Sequence, residues 1–77
     1  MARVFTDQDL LTWEAYSSAG RRGLPLDPRI VFNCLSAPDV RARFVVHDGE
    51  EAEAGAAVRA MPDSRLRELL AASQPLE

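Results

Sequence analysis

The chain has 77 residues, a net charge of -3, an apolar fraction of 47% and a charged fraction of 27%. That composition excludes disorder and makes a single small domain, residues 1–77, with a thin core. One cysteine and one histidine exclude an internal disulfide and a structural zinc site, so a partner or self-association is the reinforcement left open.

In chain order, Thr6 to Gly20 (TDQDLLTWEAYSSAG) is the first element and supports two parsings. Thr6 as N-cap, Asp7 and Asp9 in a first turn and Gly20 as a stop are helix punctuation. Against this, Val4-Phe5-Thr6 and Thr12 to Tyr16 carry β-branched and aromatic residues around DQDL. Strands are the preferred reading, with DQDL as the turn and Thr6 paired with Leu11. That register puts Val4 opposite Trp13 and Arg3 opposite Glu14. It gives one face to Trp13, Val4, Leu11 and Ala15, and the other to Phe5 and Tyr16.

A second hairpin follows. Arg29 to Ser36 and Val40 to His47 are apolar runs separated by the turn tripeptide Ala37-Pro38-Asp39. A three-residue loop pairs Phe32 with Phe44 and Ile30 with Val46. Ile30, Phe32, Cys34, Ala42, Phe44 and Val46 then form an apolar face that needs cover. The opposite face shows Val31, Asn33, Leu35, Arg41, Arg43, Val45 and His47.

After an acidic turn, EEAEAGAAVRAM reads as a short helix weakened by Gly55. Pro62 interrupts it. Asp63 or Ser64 is a candidate cap, and Leu66, Leu69 and Leu70 recur at helical spacing through Ser73, with Pro75 as a stop. The predicted class is α+β: a small antiparallel meander of three to four strands, one face covered by a C-terminal helix from Ser64 to Ser73.

Phe5-Thr6-Asp7, Trp13-Glu14-Ala15-Tyr16, Arg29-Ile30-Val31-Phe32 and Pro62 to Leu70 together resemble a pattern of short uncharacterised bacterial proteins. The resemblance implies a strand meander closed by a helix, and it implies no function. In those proteins the acidic turn before Trp-Glu usually holds a glycine, where this chain has Leu10.

No motif carries recognisable catalytic chemistry. Cys34 and His47 are the only nucleophile and base of that kind, and the predicted register sets them on opposite faces, about 17 Å apart at ~3.4 Å per residue. Glu50, Glu51 and Glu53 lack the spacing of an oxygen-ligand loop, and Gly20, Gly23 and Gly49 form no phosphate-binding signature. The chain is therefore expected to be a non-enzyme, without catalytic residues, metal or cofactor.

No apolar run reaches the roughly 20 residues of a membrane span, and no signal-peptide pattern opens the chain, so a cytoplasmic location without membrane contact is expected. All nine basic residues are arginine. Six arginines against five acids occupy residues 1–47, and three against seven occupy 48–77. Arg21, Arg22, Asn33, Arg41, Arg43 and His47 form the candidate interaction surface. The leading expectation is an interaction module, an accessory subunit or homodimer. The rival is a nucleic-acid-binding regulator that uses the same arginines, disfavoured by a pI near 5.0.

Overall fold

The computed structural model describes residues 2–18, 29–37, 39–47 and 51–75, with 51–54 as backbone only. Its elements are β1 (Arg3–Thr6), β2 (Thr12–Ser18), β3 (Arg29–Cys34), β4 (Arg43–Val46), α1 (Glu51–Ala60), α2 (Asp63–Ala72) and β5 (Gln74–Pro75). The strands form one antiparallel sheet in the order β1-β2-β3-β4-β5. The α+β class and the helix-covered meander expected from the sequence are present. Two features extend that expectation. The weakened segment before Pro62 is a true helix packed on β2 and β3, and Gln74–Pro75 adds a fifth strand beside β4. Pro75 both ends the helical run and sits on the sheet edge, where its missing N–H costs no ladder bond.

The first hairpin is built as strands, and its turn explains how. Asp7 N–H donates to Leu11 O (2.9 Å) and Leu10 N–H donates to Asp7 O (3.1 Å). The loop is therefore the three residues Gln8, Asp9 and Leu10, with Leu10 in the left-handed region at φ 66°. A three-residue hairpin loop needs that conformation at its last position, which is why glycine is the usual occupant. Leucine occupies it here at a cost of about 1–2 kcal/mol.

Both hairpins are shifted by one residue from the predicted registers. Thr6 pairs with Thr12 and Phe5 with Trp13, because the loop has three residues and not four. Likewise Phe32 pairs with Arg43, Val31 with Phe44 and Ile30 with Val45: Val40 N–H closes a turn on Ala37 O, and the returning strand meets each partner one residue earlier than the three-residue loop would set it. A one-residue shift moves every side chain of the partner strand to the other face. Phe5 is thus core and 3% exposed, whereas Val4 is outside and 56% exposed. Val45 and Arg43 face the helices; Phe44 and Val46 face outward.

The inner face carries Phe5, Trp13, Ala15, Ile30, Phe32 and Cys34, packed against Val58 of α1 and Leu66 and Leu70 of α2. Phe5 and Phe32 meet edge to face with ring centres 6.0 Å apart, a favourable aromatic geometry. Leu66 and Leu70 stand one helical turn apart and supply the expected leucine cover. α2 reaches both β1 and β4, which are not neighbours, so it runs across the sheet. The N-cap of α2 is Pro62, not Asp63 or Ser64, and no side chain caps it. Asp63 is the first helical residue, with its carboxylate in the favourable first turn.

Candidate functional site

Two inward-facing arginines brace the helices. Arg3 and Arg43 lie on one cross-strand row, Arg3–Ala15–Phe32–Arg43, with fully buried Ala15 and Phe32 between them. Arg3 Nη1 donates to the carbonyls of Val58 (3.3 Å), Arg59 (3.1 Å) and Met61 (2.8 Å). Its Nη2 meets Asp63 Oδ1 at 2.7 Å. One guanidinium therefore satisfies the orphan carbonyls at the end of α1 and pairs with the acid that opens α2. At the far end of α2, Arg43 Nε donates to Ser73 Oγ (2.7 Å) and its Nη2 to Ser73 O.

Arg43 therefore leaves the outward surface on which the sequence reading placed it. The other residues of that surface are dispersed. Asn33 is exposed on the outer face of β3, opposite Glu14. Arg41 is exposed but precedes β4, and His47 lies half-buried beyond its end. Arg21 and Arg22 fall outside the described residues. Arg29, which the sequence reading set beside Asn33 on the same face, lies over the Phe44 ring at 4.6 Å, a cation–π contact that only the shifted register allows.

The outer face is also more apolar than the predicted register made it. Tyr16, Val31 and Phe44 form one cross-strand row, flanked by Val4 and Val46, both 56% exposed. None of the described helices covers it, yet Val31 in the middle of the row is buried, 4% exposed. Cys34 is buried and unpaired. The register shift removes the face argument that separated it from His47. Cys34 nevertheless stands five residues along β3 from Arg29, the partner of Val46, about 17 Å at ~3.4 Å per residue. Among the described residues no three His, Cys, Asp or Glu side chains come together as a metal site. Glu50, Glu51 and Glu53 lie outside the described side chains. No helix among the described residues is long and apolar enough to cross a membrane.

A groove of about 280 Å³ opens between the β1–β2 turn and α2. Trp13, Leu70 and Ala71 give it apolar walls, and Asp7, Gln8, Asp9, Arg43 and Arg67 give it polar ones. It continues along α2 past Ser64 and Glu68. Asp7 is fully engaged there: Oδ1 accepts from the backbone N–H of Asp9 (2.8 Å) and Leu11 (2.9 Å), and Oδ2 from Trp13 Nε1 (2.7 Å). Burial by itself raises the Asp7 pKa, but the Trp13, Leu11 and Asp9 donors outweigh it, and the net shift is downward. Arg67 Nε donates to Thr6 O at 2.7 Å, which ties α2 to the edge strand. The sequence reading passed over Asp7 and Arg67 as groove residues. The signal for Asp7 was the Asp-x-Asp start of a turn, since aspartate readily accepts N–H bonds from the next residues.

Compared with known proteins, the chain matches no protein-family model, no curated protein and no solved structure.

Proposed function

We propose that the chain is a small non-enzymatic interaction module, an accessory subunit or a homodimer, that meets protein through the outer face of its sheet. The observation that carries this reading is the set of exposed apolar side chains on that face, Val4 and Val46 at 56% and Tyr16 at 37%, beside the row Tyr16–Val31–Phe44, whose Val31 is itself buried. Apolar side chains on an open sheet face gain by being covered, and a thin core gains stability from a partner. The test is site-specific photo-crosslinking in cells. A probe at position 46 is expected to trap protein, whereas one at the exposed position 56 of α1 is not. No adduct at position 46 removes the reading.

The nucleic-acid alternative loses support from the placement of its arginines. Arg43 is committed to Ser73, and Arg29 to Phe44. Titration with short single-stranded and duplex oligonucleotides at low salt is expected to show no binding. A salt-sensitive association there would reinstate that alternative.

A further inference from the structure

We propose that the first hairpin tip is a docking knob: Leu10 of one copy seats in the groove between the β1–β2 turn and α2 of a second copy, and the second copy returns the contact. This rests on the interaction-module reading only in taking association as the chain's work. It uses a different surface from the outer sheet face.

Leu10 is the residue least explained by the fold. It is 81% exposed, takes no part in the core cluster and holds a backbone conformation that leucine disfavours, φ 66°. Every hydrogen bond of the turn uses the Asp7 carboxylate or backbone groups, which glycine would offer equally. A strained, exposed apolar side chain outside the core is the kind of feature that functional surfaces retain.

The groove has matching chemistry. Trp13, Leu70 and Ala71 line it, and it opens beside Asp9, the neighbour of Leu10. In the proposed pair, a two-fold axis near the turn would set each Leu10 against the other copy's groove. The charges are also self-complementary. The Asp9 carboxylate has no partner among the described residues, and Arg67 uses only Nε, so its remaining N–H groups are available. In an isologous pair, Asp9 of each copy faces Arg67 of the other, two charge pairs related by the same axis.

The experiment is sedimentation velocity over a range of concentrations. The unmodified chain is expected to dimerise. Leu10→Gly is expected to stay folded, with an equal or higher melting temperature, and to weaken dimerisation about a hundredfold because two leucines leave each dimer. Asp9→Arg and Arg67→Glu should each be monomeric alone, and mixed in equal amounts they should form a heterodimer. A monomer at every concentration, an unchanged dimer in Leu10→Gly, or two folded charge variants that fail to pair would each overturn the proposal. A position-46 adduct together with normal dimerisation of Leu10→Gly would leave the sheet-face reading standing and remove this one.

Discussion

Two residues of the first turn, Asp7 and Leu10, pull its stability in opposite directions. Asp7 accepts three N–H donors, and charge-assisted bonds of this kind contribute about 1.5–3 kcal/mol each in mutational series. Because one carboxylate serves all three and part of the gain offsets its desolvation, Asp7→Ala is expected to cost about 2–3 kcal/mol in urea unfolding. The pH dependence has a definite sign. A pKa lowered by folding gives stability that is fully present above the unfolded value, about 3.9, and is lost as pH falls through the folded value. The stability gap between the parent and Asp7→Asn should therefore hold from neutral pH down to about 5 and narrow below about 4. Leu10 acts the other way. Leu10→Gly relieves a left-handed leucine at about 1–2 kcal/mol but adds unfolded-state freedom of about 0.4–1 kcal/mol, so a net gain of about 0.5–1 kcal/mol is expected by thermal unfolding.

At the scale of elements, the helices depend on the sheet for their ends. α2 has no side-chain N-cap, and α1 ends at the Arg3 guanidinium, which a β-strand supplies. Arg3→Lys is expected to lose about 1–2 kcal/mol, because a single ammonium cannot span three carbonyls and Asp63 as the planar fork does. Full restoration by lysine would show that charge alone suffices. α1 also contains Gly55, whose added Cβ would meet Ser17 Oγ at 3.4 Å, an ordinary contact. Gly55→Ala is accordingly expected to stabilise by about 0.5–1 kcal/mol through helix propensity, read from the unfolding midpoint.

For the whole molecule, the existence and order of β1 to β4 were legible in the sequence, whereas β5 and the facing of the strands were not. β3 was readable because RIVFNC is dense in β-branched and aromatic residues. Its partner RARFVV places bulky apolar residues on both faces in either register, so only the turn decides between them. That turn showed no glycine or Asn-Gly signal to fix its length. The same ambiguity in Val4-Phe5-Thr6 let Val4 and Phe5 exchange faces. The candidate surface inherited both errors, since Arg43 was assigned outward by a register one residue off. The choice between helix and strand was settled over Thr6 to Ser18 by long-range pairing: β2 is flanked on both sides, by β1 and β3, and this outweighs the local capping residues.

The Arg3 contacts with α1 and Asp63 also bear on how the chain is made. They join residues 55 to 60 positions apart, and the row they end spans the core. During synthesis the first strand emerges long before the helices whose ends it holds, so the nascent sheet has an uncovered apolar face until α2 leaves the ribosome. Folding then comes late and all at once, and a chain stalled before Leu66 would present chaperones and proteases with an open sheet surface.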